Sequence, residues 1–181
     1  MARAQLVDAV RDAACLVGGS RKDYDPLLEL AEGVKFVCLG EATHGSHELY
    51  RERSRITQRL IAEQGFNAVV VEADWPDADR ANRWAQGRSD DADAEDALAG
   101  FRRFPTWMWR NTVVVDVLGW LREQNERMPK PALFHGSHYF EARVAAQFDG
   151  IVHVDRTRAV EPLERAQMWT AEPPETYPSA L

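Results

Sequence analysis

The chain of 181 residues lacks several features that would define its class at once. It has only two cysteines, Cys15 and Cys38, in apolar runs without C-x-x-C spacing, so we predict reduced core thiols and no disulfide framework. Basic residues do not predominate, because 22 Lys and Arg stand against 29 Asp and Glu, a net charge of −7. A chain without a basic stripe is a poor partner for nucleic acid or an anionic membrane surface.

Long uncharged apolar segments are also absent. No stretch approaches the roughly 18 residues of a membrane-spanning helix, and Asp8, Arg11 and Asp12 interrupt the apolar residues near the start before a signal peptide could form. We therefore expect a cytoplasmic protein with no membrane partner. With 45% apolar and 28% charged side chains, residues 1–181 have the balance of a single globular domain.

The order of the predicted elements indicates an α/β fold. Two compact apolar runs, residues 34–39 and 67–72, are predicted as buried strands on either side of a helix that begins near Ser46 and is closed by Gly65. This βαβ order implies parallel strands and a right-handed crossover. The patterns also predict an amphipathic N-terminal helix, a short helix from Asp25, helices at residues 76–86, 94–101, 111–126 and 138–148, and strands at 131–135 and 151–155. We expect a small, mostly parallel sheet with flanking helices, as a truncated three-layer architecture.

Charged residues stand where the first two predicted strands end. Ligands of open parallel sheets bind beyond the carboxyl ends of the strands, and Glu41 and Glu72 follow such ends. Neighbouring carboxylates oppose each other's ionisation unless a cation lies between them. Arg53 falls on the apolar stripe of the intervening helix, so its guanidinium is predicted to form ion pairs with both glutamates. Alternatively, its aliphatic side chain lies over the core and its charge reaches water. Arg51 and Arg55 fall on other faces, and their replacement is expected to cost little.

His44 lies in the loop between the first strand and that helix. A neutral imidazole positioned by an acid can take a proton from water, so His44 is the candidate general base, and the alternative is a histidine in a helix cap. The order of His44, His47 and Glu48 matches neither common zinc motif. These side chains could nevertheless bind a metal together with Glu41, and with Asp74 nearby. A metal-binding hydrolase therefore remains an alternative.

Aromatic residues and further histidines form a third group. Four tryptophans are favoured as core residues: Trp75, Trp84, Trp107 and Trp109. All of these except Trp84 are also candidate substrate-binding residues, together with Asp74. The histidines beside apolar strand or helix positions are expected to be structural: His135, His138 and His153.

The chain resembles the erythromycin esterase family in three ordered segments and at Arg53. The segments are LGEATHG at 39–45, VEADW at 71–75 and FPTWMWRN at 104–111. Members hydrolyse the lactone ester of macrolide antibiotics or are uncharacterised hydrolase-like relatives. The resemblance implies that His44 activates water and that Glu41, Glu72 and Arg53 are its partners, with Arg53 fixing the carboxylates or holding the oxyanion. No nucleophilic serine and no cofactor are expected.

The resemblance covers only the two ends of a full-length family member. Residues 137–178 resemble the end of such a member, and the helices, strand and histidine-bearing motif that precede it in the family are absent. We therefore expect an apparent internal deletion near 136–137. Because that segment would supply one wall of the macrolide pocket and groups that stabilise the oxyanion, the substrate stays open.

Besides the metal-binding alternative, two functional hypotheses follow. The first is a hydrolase that acts on a carboxylic ester or macrolactone, with a role in antibiotic resistance, and is impaired by the missing segment. The second is a catalytically inactive remnant that binds a ligand or partner at most. A missing packed half would uncover an apolar patch at side chains such as Trp107, Trp109 and Leu133, which favours self-association.

Overall fold

The computed structural model describes residues 5, 7–9, 12, 14–15, 17–41, 43–103, 106–137, 152 and 156–163. The chain divides into two compact units, residues 1–35 and 36–181. In the first unit, residues 5, 7–9 and 12 are helical, as expected for the N-terminal helix. A 3₁₀ turn at Arg21–Tyr24 leads into α1, Asp25–Leu30, which carries a proline in its first turn as predicted.

The second unit has helices on a small parallel sheet, which confirms the predicted α/β class. Its elements in chain order are α2 (His47–Gln64), β1 (Ala68–Glu72), α3 (Trp75–Ala85), α4 (Ala94–Ala97), α5 (Thr112–Arg127) and β2 (Leu133–Ser137), with a 3₁₀ turn at Thr106–Met108 before α5. Strands β1 and β2 are parallel and pair Ala68 with Leu133 through Glu72 with Ser137. Three helices form the crossover that parallel strands require.

The ends of the long helices follow their capping residues. Helix α2 begins after Ser46 and ends at Gly65, which has the left-handed conformation (φ 73°) that glycine adopts without strain. Helix α5 begins after Asn111, a fully buried side chain whose oxygen accepts a hydrogen bond from the N–H of Val114 at 3.1 Å. Helix α4 is shorter than predicted, because the chain turns at residues 98–100.

The core lies against one face of the sheet. Phe134 is buried there, and Val69 and Val71 pack beside it against the buried apolar residues of the helices. On the other face Val70 and Leu133 are exposed by 63% and 46%. Among the described residues, helices therefore cover one face of the sheet. This is part of the truncated three-layer architecture that was expected.

Residues 34–39 do not form the predicted strand. Val34 and Phe36 are exposed, and the segment has no ladder partner in the described sheet, which pairs β1 only with β2. An apolar run becomes a strand only when its backbone groups pair with a neighbour, so the expected crossover between 34–39 and 67–72 is replaced by one between β1 and β2. Cys15 and Cys38 are free and exposed, so the prediction that they are core thiols is wrong.

Some sequence predictions fall where the structure describes little. The predicted helix at 138–148 lies outside the described residues, as do His138, His153 and all of the strand at 151–155 except Val152. In the part of the chain that is described, no helix combines the length and the apolar character needed to cross a bilayer.

Candidate active site

His44 and Glu41 form a short polar contact in the loop before α2. Nδ1 of His44 lies 2.6 Å from Oε1 of Glu41, whose side chain is only 7% exposed, whereas the imidazole is 46% exposed. When Nδ1–H donates to the carboxylate, the lone pair of the ring lies at Nε2. The pair therefore joins a buried acid to a solvent-accessible base.

The surrounding charges raise the pKa of His44 above its ordinary value of 6.5. The hydrogen bond to Glu41 is the largest cause, and the charges of Glu41 and Glu72 act in the same direction. Partial burial and the charge of Arg53 oppose them. His44 consequently retains its proton to a higher pH than a free histidine and is a stronger base once it has lost that proton.

Arg53 lies on the inward side of α2 and pairs with Glu41, one of the two glutamates that it was predicted to hold. Its Nη2 is 3.0 Å from Oε2 of Glu41, and its side chain is 28% exposed. The N–H is not aligned for a hydrogen bond, so Oε2 is buried without a hydrogen-bond donor among the described residues. Arg53 therefore neutralises the carboxylate mainly through its charge and leaves one oxygen able to accept a hydrogen bond.

Glu72, the last residue of β1, adds a second negative charge to the same region. Its carboxylate raises the pKa of both His44 and Tyr50, so Glu72 acts on the same two side chains as Glu41. Its backbone carbonyl accepts a hydrogen bond from Nε1 of Trp109 at 3.1 Å. This bond holds the end of β1 against the aromatic residues that precede α5.

Tyr50 is a residue of this site that the sequence analysis did not identify. Its side chain is 3% exposed, and the guanidinium of Arg53 lies 4.9 Å from its ring centroid. Burial is the main cause of a raised pKa for Tyr50, and the hydroxyl therefore remains protonated. That hydroxyl has no hydrogen-bond partner among the described residues. The spacing of three residues between Tyr50 and Arg53 was the available signal.

Replacing Tyr50 by Phe is expected to leave the free energy of unfolding unchanged or to raise it by up to about 1 kcal/mol, because it removes a buried hydroxyl without a partner and keeps the ring. Tyr50→Ala is expected to cost about 3 to 5 kcal/mol, since it also removes the packed ring. Urea unfolding of both variants measures the difference. A loss above about 1 kcal/mol in Tyr50→Phe would show that the hydroxyl has a stabilising partner.

A neighbouring face of α2 holds a second buried carboxylate. Glu52 is 6% exposed, and its Oε1 lies 2.7 Å from Nη2 of Arg51 and 3.4 Å from Nη1 of Arg55. The expectation that these two arginines can be replaced at little cost stays a prediction, and their contacts with a buried acid are a reason for a larger cost.

The candidate substrate-binding residues separate into different environments. Trp109 packs between Phe101 and Phe134, with ring centroids 5.9 and 6.3 Å away, which is a core position. Trp107 is half-buried, and a Cβ added at Gly45 would lie 3.9 Å from its ring, so it borders the loop that carries His44.

The remaining two candidates lie at the start of α3. Trp75 is 55% exposed, whereas Trp84, near the other end of that helix, is buried as predicted. The carboxylate of Asp74 pairs with Arg103 at 2.8 Å. Substrate binding by Trp75, Asp74, Trp107 and Trp109 stays a prediction. His135 lies exposed on β2, away from the core position expected of a structural histidine.

The residues considered for a metal site face other partners. Within the described ranges, no three His, Cys, Asp or Glu side chains are placed to hold a metal ion. Glu48 accepts a hydrogen bond from the backbone N–H of Arg158 at 2.8 Å, and Nε2 of His47 lies 3.1 Å from Nη2 of the same arginine. Only Glu41 and His44 of the proposed cluster contact each other.

The fold and the site together define a small α/β protein with a carboxylate–histidine pair before a helix. Comparison with protein families places residues 61–137 in a match to the erythromycin esterase family model, which confirms the predicted resemblance. The matched segment contains Glu72 and the tryptophans at 75, 107 and 109. Glu41, His44 and Arg53 precede it in the chain.

Three individual proteins are also similar to parts of this chain. The Bacillus subtilis (strain 168) protein named "Putative hydrolase YbfO" is 23% identical over 149 residues, which cover 82% of this chain and 31% of that protein. A crystal structure titled succinoglycan biosynthesis protein matches with a TM-score of 0.55 and 23% identity over 66% of this chain and 29% of its own. A Bacillus cereus protein matches with a TM-score of 0.52 and 27% identity over 66% of this chain and 27% of its own. The chain thus spans less than a third of the length of each of these proteins.

Proposed function

We propose that this chain is a hydrolase of the erythromycin esterase type, acting on a small-molecule carboxylic ester or macrolactone with water activated by His44. The observation that carries the proposal is the 2.6 Å contact between His44 and the buried carboxylate of Glu41. A histidine that an acid orients and makes more basic is the group that general-base hydrolysis requires.

The chemistry follows from the positions of the polar groups. Nε2 of His44 takes a proton from water while the water oxygen forms a bond to the carbonyl carbon of the ester. The tetrahedral intermediate then loses its alkoxide, which takes the proton back from His44, so that one ester and one water give one acid and one alcohol. Glu41 orients the imidazole and, with Glu72, stabilises its protonated form.

Arg53 fits one of the two roles that the sequence left open. Its guanidinium lies 3.0 Å from Oε2 of Glu41, so we propose that it fixes the carboxylate behind His44. Thr43, the nearest hydroxyl to His44 in sequence, is not required, because the mechanism uses water and forms no acyl-enzyme.

An incubation with a macrolide tests the proposal. The expected result is slow conversion to a ring-opened product heavier by one water, followed by mass spectrometry at high protein concentration. Slow turnover is expected because the family segment proposed to be missing near 136–137 would supply further oxyanion donors. No product from a panel of macrolides and simple esters at high protein concentration would overturn the activity.

A second candidate function is binding without turnover, with self-association. The exposure of Val70 and Leu133 on the same face of β1 and β2 supports self-association. The expected apolar patch does not include Trp109, because its ring packs in the core. Sedimentation and binding of an apolar dye test this candidate. Association that increases with concentration is expected, and a monomer that binds no dye would contradict it.

A further inference from the structure

Residues 158–163, the strap, join the N-terminal ends of two helices. Isolated antiparallel bridges pair Ser46 with Ala159 and Asn111 with Pro162. At α2, the N–H of His47 donates to the carbonyl of Arg158 at 2.8 Å, and the N–H of Val160 donates to the carbonyl of Gly45 at 3.0 Å. At α5, the N–H of Thr112 donates to Glu161 at 3.1 Å.

The strap supplies what a helix N-terminus lacks. The first N–H groups of a helix have no partner within it, and the side chain of Ser46, the N-cap of α2, makes no capping hydrogen bond. The carbonyl of Arg158 satisfies one of these groups, the N–H of His47. Val160, which is 7% exposed, is buried in the core, so the strap is anchored by packing as well.

Glu48 attaches this strap to α2. Its Oε2 accepts a hydrogen bond from the backbone N–H of Arg158 at 2.8 Å, and the Nε of Arg158 lies 3.9 Å from its Oε1. The same N–H lowers the pKa of Glu48, as expected for an ionised acceptor. Gly45, which the strap binds directly, is the residue after His44.

We propose that Glu48 is a positioning residue for His44: by anchoring the strap at Arg158 it restrains Gly45 and Ser46 and so keeps the imidazole against Glu41. The catalytic consequence rests on the proposed function, whereas the restraint itself does not. The charges with the largest effects on His44 are those of Glu41, Glu72 and Arg53. The contacts of Glu48 run instead to the strap, so its proposed influence passes through the backbone.

The experiment follows the imidazole of His44 by NMR during a pH titration. In Glu48→Ala the acceptor is lost, His44 leaves Glu41 for part of the time, and its pKa is expected to fall toward 6.5. Glu48→Gln keeps an oxygen that accepts the N–H of Arg158 and is expected to retain most of the wild-type pKa. Glu63→Ala, a loss of the same charge near the other end of α2, serves as the control.

A second pair of variants leaves Glu48 intact. Arg158→Pro removes the N–H that Glu48 accepts, whereas Arg158→Ala removes only the guanidinium, so the fall in the pKa of His44 is expected to be larger in Arg158→Pro. An unchanged His44 titration in folded Glu48→Ala and Arg158→Pro would overturn the proposal, as would equal falls in Glu48→Ala, Glu48→Gln and Glu63→Ala. Because no substrate is used, these outcomes are independent of whether the chain hydrolyses esters.

Discussion

Replacement of His44 by Gln is expected to lower ester hydrolysis about 10²- to 10⁴-fold, the usual contribution of a positioned general base. Glutamine can still donate a hydrogen bond to Glu41, but it cannot accept a proton from water at neutral pH. Hydrolysis of one ester by the two proteins under the same conditions measures the effect. His135→Gln is the matched control, because this histidine is exposed on β2, and its hydrolysis rate is expected to equal that of the wild type.

The same prediction has a pH dependence with a definite sign. Hydrolysis requires the unprotonated imidazole, and the contact with Glu41 raises the pKa of His44 above 6.5. The wild-type rate should therefore increase with pH at values above 6.5 and level off once His44 has lost its proton. Equal rates for the wild type and His44→Gln at every pH would remove His44 from the mechanism.

Arg53→Ala is expected to lower the free energy of unfolding by about 2 to 3 kcal/mol, because it leaves the buried carboxylate of Glu41 without its cation. The effect stays below that of a fully buried pair, since the Arg53 side chain is 28% exposed. Its cation–π contact with Tyr50 is lost as well. Urea unfolding monitored by circular dichroism provides the measurement.

Arg127→Ala is the control for this change. The Arg127 side chain is 72% exposed, and its Nη2 lies 3.9 Å from Oε2 of Glu123. Its removal is therefore expected to lower the free energy of unfolding by less than about 0.5 kcal/mol. Arg51 and Arg55 are unsuitable controls, because both contact Glu52. Equal destabilisation by Arg53→Ala and Arg127→Ala would show that the pair with Glu41 does not stabilise the fold.

Local sequence signals predicted those elements whose ends depend on local backbone chemistry. Ser46 and Gly65 bound α2 and Asn111 begins α5, because caps act on backbone groups within a few residues. The apolar run at 67–72 pairs as β1, but the similar run at 34–39 does not pair. Strand formation depends on a neighbour that no local pattern reveals.

The candidate site was predictable where a local pattern brings its residues together, and it was missed where burial or a distant segment decides. Glu41 and His44 are three residues apart, and helix periodicity placed Arg53 toward them. The burial of Glu52 was missed because an acid is buried only when nearby cations compensate its charge. The strap was missed because Val160 and Gly45 meet across more than a hundred residues, a distance at which periodicity carries no information.

The titration of His44 in the wild type and in Glu41→Gln tests the central claim most directly, because it reports on the pair without a substrate. NMR of the imidazole C–H groups gives the pKa in each protein. A wild-type pKa above 6.5 is expected, with a lower value in Glu41→Gln, which loses the charge and the strong acceptor at Nδ1. A wild-type pKa at or below 6.5, or the same pKa in both proteins, would contradict the account.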